Sequence, residues 1–136
     1  MRIMAIDYGD AHTGIAISDP TGFLAGFTTT INAYRPEVVA EQIAALAKEH
    51  GVEELVLGHP INMDGTRGPR SEKAQAMKVL LEDTTSLPVV LWDERRTTIE
   101  AHNILSANGK KTKKHKKTVD AVAAALILEG YLRFIG

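Results

Sequence analysis

Four acids in this chain stand where their carboxylates could do chemistry. Asp7 closes the apolar run RIMAID and opens DYGDAHTG (7–14). Asp93 and Glu94 close PVVLW and open DERRTT (93–98), where two acids, two arginines and two threonines follow one another. Asp120 is the sole acid between Glu100 and Glu129, inside the otherwise greasy stretch VDAVAAALILEGYL. Each has an ordinary local reading as well: Asp7 as the corner of a hairpin, Asp93-Glu94 as a charged strand end, and Asp120 as a first-turn acid behind a Thr118 cap. Their coincidence at element ends points further. Carboxylates brought together repel, and that cost is offset when they share a hard cation such as Mg²⁺ through oxygen ligands.

A second feature carries charge of the opposite sign. The run KKTKKHKK (110–117) supplies Lys110, Lys111, Lys113, Lys114, Lys116 and Lys117, directly ahead of the stretch that bears Asp120. Read locally it is a solvated loop, with His115 a solvated member. Read with the acids, it draws phosphates to the carboxylates, as phosphodiester hydrolysis at a metal centre requires. Arg95 to Lys117 holds eight basic residues and one acid, a net +7 inside a chain of net charge −1, so the remainder carries −8. Such polarity favours a polyanionic partner.

The elements that must position these residues follow from periodicity. RIMAID (2–7), TGIAIS (13–18) and FLAGFTTTIN (23–32) read as a three-stranded antiparallel meander. Pro36 opens a helix to about His50, with Gly51 as its stop. ELVLG (54–58) is a short buried strand, HPINMDGTRG (59–68) a loop, and Pro69 opens a helix to about Leu81. PVVLW (88–92) is the fifth strand. Thr97 with Glu100 has the capping-box spacing for a helix to about Ala107, and Thr118 to about Phe134 forms a last, largely buried helix. The order βββαβαβαα predicts an α/β protein, a mixed five-stranded sheet flanked by helices. Ligands of such sheets gather beyond the carboxyl ends of the strands, where Asp7, Asp93 and Glu94 fall.

Length and composition exclude several classes. At 136 residues the chain is expected to be one domain, 1–136, with a real core, and 44% hydrophobic content argues against disorder. The absence of cysteine removes disulfides, thiolate nucleophiles and cysteine-held metals. The first acid comes at residue 7, short of the roughly 7–15 apolar residues of a secretory signal, and no run approaches the roughly 18 of a membrane span. A cytoplasmic protein with no membrane partner is the expectation. Arg67 and Arg70, beside the 59–68 loop, could reach a phosphate or simply be surface. His59, Met63 and Trp92 read as structural or packing residues.

Four ordered stretches, DYGDAHTGIAISD (7–19), GHPINMDGT (58–66), DERRTT (93–98) and VDAVAAALIL (119–128), resemble the signatures of the YqgF/RuvX family, and the resemblance runs nearly end to end. It implies an RNase H-like fold related to Holliday junction resolvases, with the role of a nuclease trimming the 5′ end of pre-16S ribosomal RNA. It also implies catalytic and metal-binding acids at Asp7, Glu94 and Asp120, with Asp93 a supporting residue or a fourth ligand. The chain departs from the family at His12, where arginine or lysine is frequent, and at His59, where an aliphatic residue is usual.

The reading is a nuclease that uses Mg²⁺, with Mn²⁺ as a substitute, on structured nucleic acid, RNA favoured. Arg95, Arg96 and the lysines 110–117 contact phosphate. A resolvase of branched DNA is the close alternative, and monomer and homodimer are both open. Two further classes compete. A non-catalytic RNA-binding assembly factor would need the lysines but not the acids. A phosphotransferase resembling the sugar kinases shares the Asp-x-Gly turn, but those enzymes close two such domains on a nucleotide.

Overall fold

The computed structural model describes residues 1–19, 25–59, 68–93 and 115–135, with side chains from residue 121 onward in the last stretch. Five strands form one sheet, β1 (Arg2–Asp7), β2 (His12–Ser18), β3 (Ala25–Asn32), β4 (Val52–His59) and β5 (Val89–Asp93), in the order β3-β2-β1-β4-β5. β1–β2 and β2–β3 pair antiparallel, as the meander predicts, whereas β4 pairs parallel to both β1 and β5. Helices α1 (Pro36–His50) and α2 (Pro69–Thr85) cover one face and α3 (His115–Ile135) the other.

This two-sided cover explains why RIMAID is apolar throughout. Met4 and Ile6 join the core beneath α1 and α2, with Ile15, Ile17, Leu55, Leu57 and Met77. Ile3 and Ala5 join the second core with Ala16, Val56, Trp92 and the α3 residues Ala124, Ile127, Leu128 and Tyr131. Alternate residues of one strand thus meet different helices, and a strand buried on both faces loses the polar alternation of a surface strand.

Proline at the first helical position starts both α1 and α2. Gly51 ends α1 in the left-handed region at φ 66°, its N–H donating to the Ala47 carbonyl. α2 runs to Thr85, past the expected end near Leu81, because Thr84 and Thr85 donate their hydroxyls to the Leu80 and Leu81 carbonyls, each at 2.7 Å. The strand expected at 54–58 also extends, to Val52–His59, since its ends pair with neighbours: Val52 with Arg2, and His59 with Asp93.

The start of α3 corrects an expectation. His115, Lys116 and Lys117 belong to the helix, not to a loop, and Thr118 stands inside the first turn instead of capping it. Lysine is a good helix former, so a lysine run does not end a helix on propensity grounds. The first turn accordingly contains no acid, and Asp120 lies beyond it. The expected helix 97–107 and residues 110–114 lie outside the described residues. Among the described residues, no helix is long and apolar enough to cross a membrane.

Candidate active site

Asp7, half-buried, is the last residue of β1 and continues the Ile3–Ala5 series, which faces α3. Its neighbours on both sides are glycines. Gly14 on β2 is its antiparallel partner. Gly58 on β4 follows Leu57, the partner of Ile6, and belongs to the same alternation as Val56, a member of the α3-side core. Directly paired residues present side chains to the same face with Cβ atoms roughly 5 Å apart. Two glycines therefore flank Asp7 without adding side chains of their own, a glycine-lined bay on the face that α3 covers.

The turn that ends β1 depends on another glycine. A Cβ on Gly9 would lie 2.3 Å from the His12 carbonyl oxygen, closer than atoms can approach. Glycine here lets the chain approach itself and fold Asp7 back against Gly14. His12 pairs with Asn32 across β2 and β3, its Nδ1 donating to Asn32 Oδ1 at 2.6 Å.

Asp93 falls elsewhere. Val90 and Trp92 face α3, whereas Val89 and Leu91 face the α1–α2 layer, and Asp93 continues the latter series. It is paired with His59, whose neighbour Leu57 but one also faces that layer. Asp93 and Asp7 thus belong to opposite faces of the sheet. Asp120 lies in α3 one helical turn before Ala124, the first of the described side chains of that helix in the α3-side core. Lys116 and Lys117 occupy the first turn of α3, and Arg70 is exposed at the start of α2. Glu94, Arg95, Arg96, Arg67, Lys110, Lys111, Lys113 and Lys114 lie outside the described residues. Among the described residues, no group of three or more metal-ligating side chains is gathered.

Two polar arrangements escaped the sequence reading. Lys73 of α2 donates to Asp10 at 2.8 Å. This hydrogen bond, followed by the lysine's charge, holds the Asp10 carboxyl below the usual carboxylate range, and the same contact raises Lys73. Burial, then the charge of Asp10, raises the neighbouring Tyr8 phenol. His59, read as structural, is buried and shares a 2.6 Å hydrogen bond between its Nε2 and the fully buried Ser71 Oγ, which also accepts from Gln75 Nε2 at 3.3 Å. The partners are separated by 63 residues in one case and 12 in the other, and only the docking of α2 on the sheet brings them together.

Residues 1–134 match the family described as RuvX, Holliday junction resolvase. The chain belongs to the RuvX family. Among relatives, a protein of Halothermothrix orenii named "Putative pre-16S rRNA nuclease" is 43% identical over 134 residues, covering 98% of this chain and 96% of that one. A Bacillus subtilis protein of the same name is 42% identical, covering 97% of each. Solved structures similar in fold include Thermus thermophilus RuvC with a Holliday junction substrate (TM-score 0.63, 13% identity, 98% and 96% covered). The fowlpox virus resolvase with Holliday junction DNA is another (TM-score 0.61, 12% identity, 99% of each covered). The family's fold is thus the RNase H-like α/β fold of RuvC-type resolvases, as the element order and resemblance predict.

Proposed function

We propose that the protein is a Mg²⁺-dependent nuclease that hydrolyses phosphodiester bonds and trims the 5′ end of pre-16S rRNA in the cytoplasm. The observation that carries this is Asp7, a carboxylate at the carboxyl end of β1, set between Gly14 and Gly58 on the face that α3 covers. The flanking glycines add no side chain of their own beside Asp7, and Asp7, Glu94 and Asp120 are the hard oxygen donors that Mg²⁺ prefers, with Mn²⁺ able to replace it. When bound, the ion would activate water and stabilise the charge that develops on the phosphate.

Two pieces of geometry support the other two acids. The α3-facing alternation of Val90 and Trp92 in β5 leaves Asp93 on the face away from Asp7, which favours Glu94 over Asp93 as the acid of the pair. Tyr131 of α3 is tied to Glu54 near the start of β4. Roughly 16 Å of helix separates Tyr131 from position 120, enough to span the roughly 13 Å of strand between Glu54 and Gly58. Lys116 and Lys117, in the first turn of α3, set cations against the positive end of the helix dipole. That unfavourable placement is relieved by a phosphate, the kind of group that helix N-termini hold. Arg95, Arg96 and the lysines at 110, 111, 113 and 114 extend the basic surface in this reading, with Arg67 and Arg70 as further contacts.

The name shared by the curated relatives favours precursor rRNA as substrate. The family description favours branched DNA as the second reading. Incubating the protein with Mg²⁺ and either a pre-16S rRNA fragment or a four-way DNA junction, beside an Asp7→Asn control, separates them. Cleavage of the RNA alone, lost in the control, supports the first reading; cleavage of the junction alone supports the second. Binding without cleavage of either substrate would leave an RNA-binding assembly factor and overturn the nuclease reading.

A further inference from the structure

On the far side of the strand end from the Asp7 bay, Tyr8, Tyr34, Met77 and Leu80 wall a cleft of about 360 Å³ between the β1–β2 turn, the segment leading into α1, and α2. That volume lies within the range of sites for small organic groups, roughly 300–1,000 Å³. Its two aromatic rings are seated differently. Tyr8 is half-buried with its ring against the core, while Tyr34 is 79% exposed and contributes nothing to either core. Lys73 stands at the mouth, oriented by Asp10, and Arg70 lies beside them in an adjoining recess. The rim holds Lys73, Arg70 and the Asp10 carboxylate, a net single positive charge. An apolar slot with an aromatic wall and such a rim is the construction that receives a base by stacking and its phosphate by charge.

We propose that this cleft takes an unpaired nucleobase of the nucleic-acid substrate. Tyr34 and Tyr8 stack the base, and Lys73 and Arg70 meet the adjoining phosphates. The assignment rests on the nuclease reading above and deepens it, because Tyr8 is joined to Asp7 with about 3.8 Å between their Cα atoms. A strand threaded past the end of β1 would present a phosphate to the Asp7 bay and a nearby base to the cleft. It would thereby select substrates carrying a single-stranded segment next to the bond that is cut.

The test compares a labelled RNA hairpin bearing a short single-stranded 5′ extension with the same hairpin made blunt, titrated by fluorescence anisotropy without divalent metal. The wild-type chain should bind the extended RNA more tightly. Tyr34→Ala, at an exposed position that the fold does not use, should weaken that binding about 5- to 100-fold and leave the blunt hairpin unchanged. Tyr34→Trp should restore it, and Tyr8→Leu should weaken it in the same sense. If wild-type and Tyr34→Ala bind the extended RNA alike, the cleft does not hold a base, and the nuclease reading survives. The same result follows if the slot takes a protein segment instead. If the wild-type chain binds neither RNA, both readings fall together.

Discussion

Asp7 is paired across the sheet with Gly14, so the neighbouring strand offers no side chain to fill the space beside this carboxylate. On β4, Gly58 follows Leu57, the partner of Ile6, and likewise adds no side chain. A buried strand end would ordinarily be packed on both sides by neighbours of similar bulk. On this face the apolar series ends at Ala5 and Ala16, and the next position of the series is the half-buried acid, flanked by glycine.

For Asp7→Asn, the expected outcome is loss of metal-dependent cleavage by roughly 10²–10³-fold or more, since a neutral amide forfeits a few kcal/mol of charge interaction with a bound cation. The amide is the same size, so melting should be close to that of the parent and RNA binding retained. Parallel cleavage, binding and thermal-melting measurements check this. Full activity in the variant would remove Asp7 from the chemistry.

Asp93 and Glu94 should separate cleanly. Asp93 continues the face that carries Val89 and Leu91, away from Asp7, so Asp93→Asn should keep cleavage within about threefold, under 1 kcal/mol. Glu94→Gln should resemble Asp7→Asn. The reverse ranking would show that the wrong member of the pair had been assigned.

Asp120 can now be tested without the ambiguity of a cap. Because α3 begins at His115 and its first turn holds no acid, the dipole contribution of Asp120, which falls off beyond the first turn, is small. Asp120→Asn should therefore melt with the parent and lose cleavage. Lower stability with retained cleavage would restore a purely structural role.

Replacing Lys113, Lys114, Lys116 and Lys117 with alanine should weaken RNA binding and flatten its dependence on salt. Four lost phosphate contacts would lower the slope of log K against log[salt] by roughly three. An unchanged slope would mean that these lysines are only solvated.

The His59–Ser71 pair predicts a stability effect with little effect on chemistry. Ser71→Ala leaves a buried imidazole nitrogen without this partner and should cost about 1–3 kcal/mol. His59→Leu combined with Ser71→Ala should cost less than the sum of the single changes, by a coupling of about 0.5 kcal/mol or more. Denaturant melts of the three variants measure it; additive costs would mean the hydrogen bond is not a stabilising unit.

Tyr131 gives a pH signature. Burial first, and then its hydrogen bond to the Glu54 carboxylate at 2.7 Å, pushes its phenol up to about 12. A pKa raised in the folded state stabilises fully below the unfolded value near 10 and is lost as pH rises through the folded one. Wild-type stability should fall between about pH 10 and 12, and Tyr131→Phe should fall less steeply there while starting lower at neutral pH. Parallel slopes in the two proteins would exclude Tyr131 as the titrating group.

The elements and the acids were legible in the residues themselves. RIMAID and TGIAIS announce buried strands by their unbroken apolar runs, Pro36 and Pro69 mark helix starts through their fixed φ, and Gly51 marks a stop through its tolerance of positive φ. These are local preferences, and local chemistry is enough to read them. Asp7 stood out for the same reason, as a charge ending a stretch that admits none.

Tertiary structure alone decided which residues meet. The parallel placement of β4 between β1 and β5 sets Gly58 beside Asp7 and carries Asp93 to the opposite face from it. The docking of α2 brings Lys73 to Asp10 and Ser71 to His59, and opens the cleft under Tyr34. The α3 start at His115 overrode the cap that Thr118 suggested, because a lysine run is compatible with a helix once the apolar face behind it is buried against the sheet. Side chains distant in sequence carry no local signal of one another. Their contact depends on strand order and on how helices pack across faces, and those are properties of the assembled core.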